Sequence, residues 1–313
     1  MTERENIRKG LDAVANVIAA VLLHVSDRGK RRSERKAYEL GLRYIDLLVD
    51  EPQYKPDMPW SNSRDPKKSR LTTELEKEGL IYNALFFEEG EKKERLYIHP
   101  KAIYEMGKEV LGKKGLTPLP EAEIGLEFLC AAWEGKMNGV FEKKWLSPVE
   151  GWASEIAYAN VIGWAHYLWR NLEKGRALFL TPHLKLLKND ILKSMLRKVA
   201  EEYEFSVEFF CFSKSLRECG PVENLIKKNF TFNEIREETP WAEDLRAIIF
   251  EDKNGEPLFG LEVLKQPERE RYVGTLYCMM EDGLRRIKKN IELISRNYVV
   301  KKFPERRGQE LES

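Results

Sequence analysis

Glutamine occurs only three times in 313 residues (Gln53, Gln266 and Gln309), and cysteine and histidine four times each. Cys130, Cys211, Cys219 and Cys278 stand apart with no CxxC pair, which removes zinc-ligand spacing and any expectation of a metal or other cofactor. In settings such as FFCFS they read as small buried hydrophobes of a reducing compartment. Long apolar runs are also missing. The longest, Ala13 to Val25, includes Asn16 and His24 and falls short of the roughly 20 residues a bilayer demands. No small-residue cleavage pattern accompanies it, so a cytoplasmic protein without a membrane role is expected. Charge of one sign is missing too: 53 basic residues face 52 acidic ones, a net +1. A polycation is excluded, and any nucleic-acid surface must be a local patch. Abundant charge (34%) with so little glutamine matches heat-adapted proteins.

Local patches are present. Residues 28–36 (RGKRRSERK) hold six basic side chains against one acidic, and residues 64–70 hold four against one. The second run opens the most informative stretch, Ser63 to His99. Asp65 suits an N-cap and Pro66 the first helical position. Leu71 and Leu75 lie one turn apart, and Gly79 fits the left-handed position after the helix. IYNALFF and RLYIH, joined by EEGEKK, read as a hairpin ending before Pro100. The helix would carry Arg64, Lys67, Lys68 and Arg70 near its start. The hairpin tip would carry Lys92, Lys93 and Arg95.

This layout resembles a winged helix, with residues 66–78 as the recognition helix and 81–99 as the wing. A basic helix start against a groove supplies phosphate contacts and brings a few side chains to base edges. Charged helices followed by hairpins also occur where no nucleic acid is bound, and Glu74, Glu76 and Glu78 balance the basic residues here. The three prolines of residues 50–62 occupy the place where the pattern normally puts a second helix.

Length allows two domains. The expected class is α+β: a helical, winged-helix-like domain over residues 1–115, a connector with a short helix over 116–147, and an α/β domain with a mixed sheet covered by helices over 148–313. The first domain reads as helices 4–25, 33–49 and 101–112. The apolar helix 4–25 is buried or shared with a partner chain, and Ala37, Leu40, Tyr44, Leu47 and Leu48 face inward from the second. A helix over 121–134 precedes the connector. Residues 148–172 read as one long apolar helix bearing Trp152, Trp164, Trp169 and a core His166. Strands follow at 176–180, 205–212 and 230–237, with helices over 183–203 and 221–229. A hairpin over 244–264 turns at Asn254-Gly255, which suits a two-residue type I′ turn. A last helix covers 273–296, and residues 301–313 read as a disordered tail.

The order EIAYANVIGWAHYLWRNLEKGRALFLTPHL, SMLRKVAEEYEFSVEFF, DLRAIIFEDKNGEPLFGLEVL resembles a phospholipase-D-like half-domain. In particular it resembles the non-catalytic version fused to winged helices in archaeal TrmB-type transcription regulators, over about residues 148–297. The catalytic family carries H-x-K-x(4)-D on the strand before the hairpin, its histidine attacking phosphorus beside a lysine. Here those positions read Leu245, Ala247 and Asp252, so the resemblance implies no phosphodiesterase activity. His183, Lys185 and Asp190 match the same letters, but in a helical context without the family's Gly-Ser-x-Asn turn.

The resemblance implies a non-enzymatic regulator that binds double-stranded DNA as a homodimer and pairs subunits or senses a small-molecule effector through the second domain. Two other classes stand beside it. Asp244, Glu262 and Lys265 faintly resemble the PD-(D/E)xK nucleases, although Glu262 and Lys265 are three apart where that family has them two apart. A subunit of a larger assembly would use the seven tryptophans and the uncharged helix as an interface.

Overall fold

The computed structural model describes residues 2–25, 33–49, 54, 66–86, 93–140, 145–150, 158–164, 175–203, 206–219, 229–239, 245–266, 271–278 and 281–303. It is mixed α and β, with a mixed sheet, and it divides into two compact units. The first comprises residues 1–143 with 149–167, the second 144–148 with 168–313. The helix expected to belong to a connector and residues 149–167 thus group with the N-terminal unit, where Leu126, Leu129 and Trp133 of the former and Val161, Ile162 and Trp164 of the latter are buried.

In the first unit, α1 (Glu3–Val25) is packed by α2 (Glu34–Leu48), α4 (Pro100–Gly112) and α5 (Glu121–Met137). Leu11, Val14, Ala15, Ile18, Val21 and Leu22 are buried around most of its circumference. The cover for this apolar helix therefore comes from its own chain. Its neighbours come close because the contacts are made at glycines. A methyl group on Gly125 of α5 would lie 2.2 Å from the Gly10 carbonyl carbon of α1, and one on Gly107 of α4 would lie 2.2 Å from Val17 Cγ1. Ser33 caps α2 by accepting from the Lys36 amide, and Leu47, expected inward, is only half-buried, while Leu42 and Ile45 are buried. Tyr38 of α2 donates to Asp12 Oδ1 at 3.2 Å, and its phenol is pushed up to about 12, chiefly by burial and then by the Asp12 charge.

The order α2, α3 (Pro66–Lys77), β1 (Ile81–Phe86), β2 (Lys93–Tyr97), α4 follows the periodicities of the sequence. Past α5, a strand, β3 (Trp145–Glu150), stands where a connector and helix start were expected, and residues 158–164 are helical (α6). Trp152, His166 and Trp169, and the basic residues 28–32, lie outside the described residues.

The second unit holds a sheet in the order β10-β6-β5-β4-β7-β8-β9. Its strands are β4 (Arg176–Leu180), β5 (Ser206–Phe212), β6 (Phe230–Ile235), β7 (Leu245–Glu251), β8 (Pro257–Gln266), β9 (Arg271–Cys278) and β10 (Val299–Phe303). β4, β5 and β6 run parallel, and the remaining pairings are antiparallel. Parallel pairing needs crossovers, and the chain between β4 and β5 supplies α7 (Lys185–Lys188) and α8 (Asp190–Tyr203). A short α9 (Ser213–Glu218) follows β5. α10 (Glu281–Asn297) lays Leu284, Ile287, Ile291 and Ile294 on one face of the sheet, among Leu178, Leu180, Phe210 and Ile249. On the opposite face Phe259, Phe250, Phe179, Phe209 and Phe232 form a row of ring contacts with centroids 5.0 to 6.2 Å apart.

Four expectations need correction here. Residues 271–278 form a strand, not the start of the last helix, and that helix begins at Glu281. Residues 301–303 of the expected tail belong to β10, which pairs with β6. The single helix over 183–203 is interrupted, since Leu184 has φ +46° and Asn189 Oδ1 accepts from the Ile191 and Leu192 amides, capping α8. The β7–β8 turn is not a two-residue type I′. Gly255 alone has positive φ (+81°), its amide donates to Asp252 O at 3.0 Å, and the Asp252 amide donates to Glu256 O at 2.9 Å. Asp252 Oδ1 accepts from the Asn254 and Glu256 amides, which selects a three-residue loop.

Burial pushes the Cys130 thiol up to about 11 and the Cys211 thiol up to about 12. Because the thiolate is the nucleophile, both stay unmodified when the folded protein meets iodoacetamide at pH 8, and both react once it is unfolded in denaturant. Peptide mapping by mass reads this site by site.

Candidate nucleic-acid interface

Leu71 and Leu75 bury one side of α3, and the helix stops in a two-bond motif. The Leu80 amide donates to Leu75 O at 3.0 Å and the Gly79 amide to Glu76 O at 3.1 Å, with Gly79 at φ +75°. This closure needs a residue without a side-chain penalty in the left-handed region, and it buries Leu80 beside Leu75. The chain then enters β1 directly, so helix and hairpin are rigidly joined.

From beneath, the hairpin is fixed by aromatic donors. The indole nitrogens of Trp133 and Trp164 both donate to Tyr97 O, at 2.9 and 3.0 Å, and the Tyr44 hydroxyl donates to Ile98 O at 2.6 Å. A carbonyl has two lone pairs, and both are used here. Tyr82 meets Trp164 edge-on at 5.8 Å, and His99, which caps α4 by accepting from the Lys101 amide, packs on Trp133 at 4.5 Å.

The cross-strand register decides what faces outward. Asn83 pairs with Arg95 and Leu85 with Lys93, while Tyr82, Ala84, Phe86 and Leu96 are buried. Asn83 and Arg95 are exposed. On α3, among the residues whose side chains are described, Arg70, Thr73 and Lys77 are exposed, spaced i, i+3, i+7 along one face. Asn83 Nδ2 donates to Glu76 Oε1 of α3 at 2.7 Å and so bridges helix and hairpin. Glu74 Oε1 receives Lys36 Nζ of α2 at 2.8 Å and lies 3.6 Å from Arg70 Nε. Arg70 remains 80% exposed, and so open a pair holds it weakly.

Of the residues expected to meet DNA, Arg70 and Arg95 are exposed, on the helix and the hairpin. Lys67 and Lys68 lie in the first turn of α3, and position 93 is two residues from 95 on β2. Arg64 and Lys92, and the expected cap Asp65, lie outside the described residues. Lys77 and Asn83 belong to this surface without having been expected. The seven-residue interval from Arg70 to Lys77 carried the signal for the first. The second required the register.

The positions laid on the phosphodiesterase motif fall on a strand and in the turn that follows it. Leu245 and Ala247 lie on β7, and Asp252 is engaged in the turn. The second match is scattered: His183 follows β4 with its ring 5.5 Å from Phe212, Lys185 opens α7, and Asp190 opens α8 in a 2.8 Å ion pair with Lys193. None of the three is on a strand. For the nuclease alternative, Asp244 lies outside the described residues and Lys265 is on β8, paired with Tyr272. Glu262 is buried and receives the Tyr277 hydroxyl at 3.2 Å and the Arg286 guanidinium, which turns its carboxylate toward α10. Among the described residues no group of three or more His, Cys, Asp or Glu is placed to hold a metal ion. Likewise, no described helix is long and apolar enough to cross a membrane.

No protein-family model and no curated protein sequence matches this chain.

Proposed function

We propose that the chain is a DNA-binding transcription regulator that works as a homodimer. In this reading the α3–hairpin surface takes the duplex, and the second unit pairs subunits or senses a small-molecule effector without catalysis. The observation that carries the reading is the junction just described: a helix stopped by Gly79 runs straight into a hairpin clamped from below by three buried donors, with Arg70, Lys77 and Arg95 exposed on the two elements. A rigid helix–hairpin pair bearing cations is suited to a groove and its flanking phosphates. The employment of Glu262 as a partner of Arg286 favours this reading over magnesium-dependent cleavage.

The test is a gel shift with genomic duplex fragments at two salt concentrations, with and without magnesium. The chain retards duplex, and raising salt weakens the complex without cutting it. Reversing Lys67 and Lys68 to glutamate weakens binding at least about tenfold and flattens the slope of log K against log salt by about two, since each phosphate contact contributes roughly 0.9. Unchanged affinity and slope would remove α3 from the contact.

A further inference from the structure

Asparagine is depleted in strands, because its side chain competes for the backbone and packs poorly on a pleated surface. Asn83 nevertheless sits in the middle of β1, exposed, directly across from the exposed Arg95. Its amide nitrogen is held 2.7 Å from Glu76 Oε1. A carboxylate only accepts, so this contact fixes which end of the amide is nitrogen and therefore where the oxygen points. One strand position thus joins an oriented amide to a guanidinium, side chains of neighbouring cross-strand positions being about 5 Å apart at Cβ. Amides and guanidinia are the two groups that read base edges best, adenine by Asn and guanine by Arg.

Resting on the DNA-binding reading above, we propose that Asn83 and Arg95 determine sequence specificity in duplex DNA, with Glu76 as the positioning residue that orients the Asn83 amide. The helix cations supply affinity, and the hairpin pair supplies discrimination. Glu76 also sets a limit. Its charge repels phosphate, so the carboxylate lowers affinity for every duplex while sharpening the choice among them.

The experiment is selection of a random-sequence duplex pool by the full chain, followed by binding measurements on the enriched and scrambled duplexes across a salt series. The wild-type chain enriches a motif. Asn83→Ala lowers the ratio of enriched to scrambled affinity by about tenfold, and because it removes no charge it leaves the salt slope unchanged. Glu76→Ala lowers the ratio similarly. Glu76→Gln, whose side-chain oxygen still accepts from Asn83, keeps the ratio and tightens binding to both duplexes. A purely structural role for Asn83 would move thermal unfolding and both affinities together. If the wild-type chain retains no duplex of any sequence, the DNA-binding reading itself fails. If it enriches a motif and Asn83→Ala enriches the same motif as strongly, this inference alone is overturned.

Discussion

Replacing Gly125 with alanine destabilises the N-terminal unit by at least about 3 kcal/mol, the upper end of ordinary overpacking costs. The added carbon would sit 2.2 Å from the Gly10 carbonyl carbon, 2.3 Å from its oxygen and 2.7 Å from the Leu11 amide nitrogen. All three are backbone atoms of α1 and cannot rotate away as a side chain would. The reciprocal change, Gly10→Ala, meets Gly125 N at 2.5 Å and Glu121 O at 2.6 Å, so it has a similar cost. Both helices must move apart, exposing Leu11, Val14, Leu126 and Leu129, which are buried in the native packing. Calorimetry should show the transition of this unit lowered by roughly 6–12 °C, taking about 2–4 °C per kcal/mol for a domain of this size. Gly135→Ala provides the contrast, since nothing lies within 4 Å of that position and alanine is the better helix former. An unshifted transition in Gly125→Ala would mean the crossing is looser than described.

The second large effect concerns Glu251. This carboxylate is fully buried at the end of β7, where it accepts from Arg176, its cross-strand partner on β4, and lies 3.4 Å from Lys288 Nζ of α10. Lys288 also donates to Gly255 O, tying α10 to the β7–β8 turn. Removing one member of a buried ion cluster leaves the rest desolvated without compensation, at a cost of about 3–5 kcal/mol. Arg176 and Lys288 are partly exposed, so their single losses fall at the lower end of that range. Arg176→Met and Lys288→Met should each lower the unfolding free energy of the second unit by about 3 kcal/mol, read from denaturant titration. The triple change Arg176→Met, Glu251→Leu, Lys288→Met should restore most of that loss, because apolar groups of similar volume replace the whole cluster. A triple variant less stable than either single one would show that the charges contribute more than their desolvation costs.

Local rules went far in the first unit. Ser33, Pro66, Gly79 and Pro100 mark ends of helices in the sequence and in the structure alike, because caps, proline and glycine act through their nearest neighbours. They failed where one signal admits two elements. Pro148 fits a helix start as well as it fits a strand, and it lies in β3. RYVGTLYC carries the aromatic and β-branched alternation of a strand, but the amphipathic helix after it extends the helical period backward across that segment. VVKKF is too short and charged to declare itself, and only β6 makes it a strand. The candidate site was legible in outline through its lysines and arginines. Its Asn83–Glu76 bridge was not, because it joins positions seven apart across a helix stop and the start of a strand, which no single period describes.

The shared acceptor at Tyr97 has a mechanical consequence. Sliding the return strand by even one residue would strip both indoles of their partner in the same movement and swing Arg95 to the inner side of the ribbon. Small excursions of the ribbon therefore gain nothing. The return strand is thus held to one register by two anchors that would be lost together.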